Sequence, residues 1–112
     1  MASDPIKILI VDDDEHVLIE LERLLESEGY STTTAWSRSE ALAYSDRFHF
    51  DLLLIDEHVA DKALLAELKR RQPDAYCLQM HTQLDQRKAA GHTVCKWEHA
   101  DMKARIRNCL AA

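Results

Sequence analysis

The chain has two glycines in 112 residues, Gly29 and Gly91, and neither stands behind its first apolar run. A phosphate-cradling loop needs glycines where a strand turns into a helix, so a P-loop or dinucleotide-binding protein is excluded. Nor does any apolar run approach the 18 or more residues of a membrane span. The first residues, MASDPIK, lack the basic-then-apolar pattern of a signal peptide, and the expected location is cytoplasmic. The three cysteines, Cys77, Cys95 and Cys109, are an odd number without close spacing, which argues against a disulfide framework and against a zinc site. Reduced, half-buried thiols are expected. Repeats, low-complexity tracts and linkers are also missing, so residues 1–112 read as one domain.

What is present is ordinary in amount and uneven in placement. A hydrophobic fraction of 46% and a charged fraction of 30% are those of a globular protein. The net charge of −6 divides unequally, with 13 acids against 4 bases in residues 1–56 and 7 against 10 in residues 57–112. The acidic half disfavours nucleic acid. The bases of the second half are scattered without aromatic interleaving, so no DNA or RNA binding is expected of this domain.

Strand-like and helix-like stretches alternate. IKILIV (6–11) suits a buried strand. Asp14 can cap a helix with apolar Val17, Leu18, Leu21, Leu24 and Leu25, ended by Gly29. YSTTTA (30–35) reads as a second strand, and Ser39 as the cap of a helix over EALAYSDR. FDLLLID (50–56) is the most apolar strand, followed by an amphipathic helix over 60–71 that Pro73 stops. AYCLQM (75–80), a short helical piece at 84–90 ending at Gly91, TVC (93–95) and a helix over 99–110 complete the order. Such alternation calls for a parallel sheet covered by helices on both faces, wound right-handed.

The acidic run Asp12, Asp13, Asp14, Glu15 follows the first strand directly. It is either a solvated helix start favoured by the dipole or a seat for something positive. In an open parallel sheet, ligands bind beyond the carboxyl ends of the strands where the winding reverses. Asp12 and Asp13 stand past the first strand and Asp56 ends the third. The flavodoxin-like order makes those strands neighbours, and Lys96 follows the fifth. Three oxygen ligands suit a hard divalent cation, and Mg²⁺ needs few carboxylates because it keeps waters. Such a cation with a lysine and a carboxylate suggests phosphoryl chemistry on the carboxylate itself. His58 and His81 near the pocket offer a weaker, transition-metal alternative.

The stretch VDDDEHVLIELERLLESEGY, the segment SRSEAL, DLLLID and the late Lys96 together resemble the receiver domain of bacterial response regulators, from about Ile6 to Leu110. The resemblance implies a flavodoxin-like (βα)5 three-layer sandwich with sheet order 2-1-3-4-5. It further implies Mg²⁺ held by Asp12, Asp13, Asp56 and the backbone carbonyl of His58. Asp56 would take a phosphoryl group from a sensor histidine kinase or phosphotransfer protein, with Lys96 pairing to the anion. Such a domain is a signalling protein, with self-catalysed transfer and hydrolysis at most.

The chain departs from that family where the signal is read out. The family's fourth strand ends in a threonine or serine that turns toward the phosphoryl group. Here that place falls on His81, or on Thr82 if the strand carries a one-residue bulge. Thr93 stands where an aromatic switch residue is usual, and Trp97 where a proline follows the lysine, so a cis peptide at 96–97 is not expected. The span from His81 to Lys96 is short for a full fourth helix. Two functions remain: a phosphoacceptor receiver domain of a two-component system, or a pseudo-receiver that docks a partner whatever its phosphorylation state. A small aspartate-nucleophile phosphatase would need a cap that this chain lacks. Kinase, output partner and a possible homodimer stay open.

Overall fold

The computed structural model describes residues 4–82 and 93–111. Five strands, β1 (Lys7–Val11), β2 (Ser31–Ala35), β3 (Leu52–Asp56), β4 (Tyr76–His81) and β5 (Thr93–Cys95), form one sheet in the order β2-β1-β3-β4-β5. Every neighbouring pair is parallel. Four helices are described: α1 (Glu15–Ser27), α2 (Arg38–Arg47), α3 (Lys62–Arg71) and α4 (His99–Ala111). The expected helical piece at 84–90, and with it the length of the fourth helix region, lies outside the described residues.

The central strands are apolar on both sides because both sides are covered. β3 is buried at all five positions, and β1 at four of five. Strand pleating sends Ile8, Ile10, Leu52, Leu54, Leu78 and Met80 to one face, where Val17, Leu21, Leu25, Met102 and Ile106 bring α1 and α4 down. Leu9, Val11, Leu53 and Ile55 go to the other face, under Ala41, Leu64 and Leu68 of α2 and α3. Each such leucine or isoleucine contributes about 1.5–3 kcal/mol on burial.

The helix ends are chemically explicit. The Asp14 side chain accepts from the His16 N–H and starts α1. At its other end Gly29 takes φ 93°, with Gly29 N–H donating to Glu26 and Tyr30 N–H to the Leu25 carbonyl. That is the six-to-one closure a left-handed residue permits. The cap of α2 is Ser37 rather than Ser39: its hydroxyl accepts from Glu40 N–H. Glu40 answers by accepting from the Trp36 N–H, so the serine three residues before the glutamate wins. Asp61 caps α3 through Leu64 N–H. Buried Gln72, just past α3, accepts from Phe50 N–H and donates to the carbonyls of Ser45 and Phe48, tying α2, β3 and α3 together.

Much of the uneven charge is paired locally. Arg38 meets Asp61, Arg71 meets Asp46, and Lys103 and Arg107 both approach Glu28. Cys95 is buried, whereas Cys77 and Cys109 are half-buried with thiol pKa values raised by burial. Trp36 and Trp97 are surface residues outside the core.

Candidate functional site: an acidic crevice closed by Lys96

The site is assembled from the carboxyl ends of β1, β3 and β5, with β4 lying between the last two. Asp12 follows β1, and its N–H continues the ladder by donating to the Ala35 carbonyl at 3.1 Å. Its side chain is fully buried, with Oδ1 accepting from Asp14 N–H at 2.9 Å. That turn sends Asp13 outward to solvent. Asp56 is the last residue of β3 and is 1% exposed. Lys96 follows β5, where its own N–H donates to the His81 carbonyl at 2.9 Å.

The Lys96 ammonium lies between the two buried carboxylates, 2.6 Å from Asp12 Oδ2 and 2.6 Å from Asp56 Oδ1. The other Asp56 oxygen accepts from the His58 N–H at 3.0 Å. Burial pushes the Asp12 carboxyl above its ordinary value, and the hydrogen bonds from Lys96 and Asp14 only partly oppose it. Burial by itself would lower the Lys96 pKa, but its hydrogen bonds to Asp12 and Asp56 outweigh that and leave it raised. The ammonium stays charged across the physiological range.

Oxygens of Asp12, Asp13 and Asp56 all lie within 4.8 Å of one another. Three carboxylates facing one ammonium leave a formal charge of −2 in a low-dielectric crevice, the complement of a divalent cation. Two of the oxygen donors are buried and one opens to water, which fits Mg²⁺ because that ion retains part of its hydration. Among the described residues no histidine joins this cluster. His58 points its side chain to solvent, 71% exposed and 3.9 Å from Glu57, which gives the transition-metal alternative no geometric support.

The structure also places His81, Thr82, Thr93 and Trp97. The β3–β4 ladder is regular, with Asp56 opposite Met80, and β4–β5 continues it with His81 opposite Cys95. With no extra residue inserted, His81 is the last strand residue and Thr82 lies beyond it, exposed. Thr93 pairs with Gln79 at the start of β5. Trp97 is 49% exposed, its ring centroid 6.0 Å from the Lys96 nitrogen, and no described peptide bond is cis. Sequence reasoning gave no sign of a notch on the other side of the crevice, beside Asp13, walled by Ile19 and Trp36. Their exposure, 43% and 63%, is what marks the notch.

Strand order and crevice together define a flavodoxin-like α/β protein with an acidic site at its topological switch point. The chain belongs to the response regulator receiver domain family, which matches residues 8–95. It is 38% identical over 76 residues to the transcriptional regulatory protein GlrR of Escherichia coli, a stretch covering 65% of this chain and 17% of that protein. It is 39% identical over 69 residues to ZraR of Salmonella typhimurium, covering 62% and 16%. The chain thus spans about a sixth of the length of these curated relatives. Among solved structures it resembles a CheY-like receiver domain protein from Methanospirillum hungatei, with a TM-score of 0.83 at 25% identity, covering 96% of this chain and 95% of that one. A response regulator from Burkholderia pseudomallei, described with a phosphorylated aspartic acid and a calcium ion, matches at 30% identity and a TM-score of 0.65, covering 71% and 49%. The family makes this a signalling domain of two-component systems.

Proposed function

We propose that Asp56 is the phosphoacceptor, charged by the phosphohistidine of a sensor kinase or phosphotransfer protein in a Mg²⁺-dependent reaction. The observation that carries this is the Lys96 ammonium 2.6 Å from both Asp12 and Asp56, with Asp13 completing the carboxylate trio. Bound by Asp12, Asp13, Asp56 and the His58 carbonyl, Mg²⁺ would supply charge neutralisation for the transferring group. In the transfer, an Asp56 oxygen bonds to phosphorus as the P–N bond to the donor imidazole breaks, and the electron pair leaves with that ring. Lys96 is already beside the carboxylate and stabilises the phosphoryl oxygens as a fixed point charge. Buried walls keep the ammonium's field unscreened. The phosphorylated aspartate of the Burkholderia protein supports this assignment by likeness. Residues 1–112 act as one receiver domain of the cytosol, with a kinase and an output partner as protein ligands.

The test is intact-mass spectrometry after incubation with Mg²⁺ and a small acyl-phosphate donor, with Asp56→Asn alongside. A Mg²⁺-dependent gain of one phosphoryl group, absent in the variant, is expected. Absence of the gain in a folded wild type would refute it. His81 at the end of an unbulged β4 favours a second role, a pseudo-receiver that docks without phosphorylation, because an imidazole replaces the small hydroxyl side chain there. That role requires the partner to bind Asp56→Asn as tightly as wild type.

A further inference from the structure

Among the described residues β2 is an edge strand, bonded on one side only to β1. Ser31 N–H donates to the Ile6 carbonyl and Asp12 N–H to the Ala35 carbonyl, so residues 31, 33 and 35 face β1. By the alternation of a parallel ladder, the backbone N–H and C=O groups of Thr32 and Thr34 face away from the sheet. Edges are usually blunted by a lysine, a proline or a bulge. STTTA has none of these, and its register with β1 is regular.

The edge is also the floor of a cavity of about 550 Å³, into which Thr34 opens. Leu18 and Ile19 of α1 wall it on one side of the sheet, and Trp36 and Tyr44 wall it on the other. Ile19 and Trp36 are 43% and 63% exposed, which is costly surface for an isolated domain. Among the described residues, the carboxylates at its mouth are Asp13, Glu15 and Glu40, which stand at the carboxyl end of the strands, and no base lines it.

We propose that this notch is a strand-addition site for an extended segment of a partner protein. The segment carries apolar side chains in its middle and arginine or lysine at one end. Its backbone pairs with Thr32 and Thr34 and extends the sheet. Alternate side chains of the added strand fall to opposite faces, one set against Ile19 and the other against Trp36 and Tyr44. The basic end reaches Asp13, Glu15 and Glu40, which fixes direction and register. The notch shares Asp13 with the carboxylate trio, whereas Asp12, Asp56 and Lys96 do not line it.

The probes are acetylated, amidated hexapeptides with a Val-Thr-Ile-Thr core and two arginines at the amino or the carboxyl end. Amide hydrogen exchange of the full chain, followed by NMR, is the readout. At saturating peptide, exchange at the Thr32 and Thr34 amides is expected to slow by about tenfold or more. N-methylation of alternate core amides, which removes donors but leaves the side chains, should abolish this. Glutamate in place of arginine, or Ile19→Glu, should weaken binding about tenfold or more, while Asp56→Asn should bind like wild type. No protection at millimolar peptide, equal binding of the N-methylated form, or protection on another strand would each overturn the proposal. So would protection of the same two amides by self-association without peptide, which would assign the edge to a second copy of the chain.

Discussion

Lys96→Met removes the ammonium and keeps most of the side chain's stem, leaving Asp12 and Asp56 facing each other without a counter-charge. Both carboxylates and the ammonium are at most 5% exposed, so solvent does little to relieve the loss. Deleting one partner of a buried ionic group costs about 3–5 kcal/mol, against a total stability of about 5–15 kcal/mol for a domain. For a chain of this length 1 kcal/mol moves the melting temperature by about 4 °C, so the variant should melt about 12–20 °C below wild type in chelator. A cation seated by the same carboxylates should restore part of that, about 2.7 kcal/mol at a hundredfold excess over its Kd. Urea unfolding at pH 7 with and without Mg²⁺ measures both quantities. Acid gives an independent check. Burial already holds the Asp12 carboxyl above its ordinary value while Lys96 opposes it, and the variant loses the opposition. A raised folded pKa favours the protonated form in the fold, so the deficit should shrink as pH falls toward the ordinary carboxylate value. A variant within 1 kcal/mol of wild type in chelator, or one that Mg²⁺ stabilises no more than wild type, would refute the electrostatic account of the crevice.

Gln72→Leu strands the Phe50 N–H and the carbonyls of Ser45 and Phe48, and should cost about 2–4 kcal/mol in urea unfolding, more than a surface substitution. Asp61→Ala removes the cap of α3 and should lower stability measurably in urea unfolding at neutral pH. The Leu64 N–H, then Arg38, hold the Asp61 pKa below its ordinary value, so this contribution is present above about 3.8 and lost as pH falls through the folded value. Wild type and Asp61→Ala should therefore converge in stability once the pH has fallen through that lowered value, as urea unfolding over an acid series would show. Gly29→Ala meets no atom within 4 Å but must keep φ 93°, so thermal unfolding should show a loss of about 1 kcal/mol from backbone strain alone.

Asp12, Asp56 and Lys96 were visible in the sequence as a group because each ends an apolar run, and a parallel sheet brings the carboxyl ends of its strands together. The apolar runs themselves were plain, since β3 is buried on both faces and shows no polar alternation. Ser37 was missed in favour of Ser39 although the deciding signal, Glu40 three residues after Ser37, was on the page. The register of His81 was not readable, because a bulge is a property of two strands rather than of one. Gln72 gave no signal either: a polar residue at a helix end looks solvated, and its partners lie 22 to 27 positions away. The outward faces of Ile19 and Trp36 depend on how α1 and α2 settle around the β2 edge, which no local spacing encodes.

The two bonds of the Lys96 ammonium span 84 and 40 positions of the chain. Loop closure over such separations is slow, and structure dominated by distant pairings forms late. As the chain leaves the ribosome at about 5–20 residues per second, Lys96 emerges about 2–8 s after Asp56. Until β5 docks, the aspartates form a bare acidic patch without a cation of their own. The Asp56 carboxylate thus acquires its setting only when the last strand is in the sheet, and an incompletely folded chain carries the charge without the pocket.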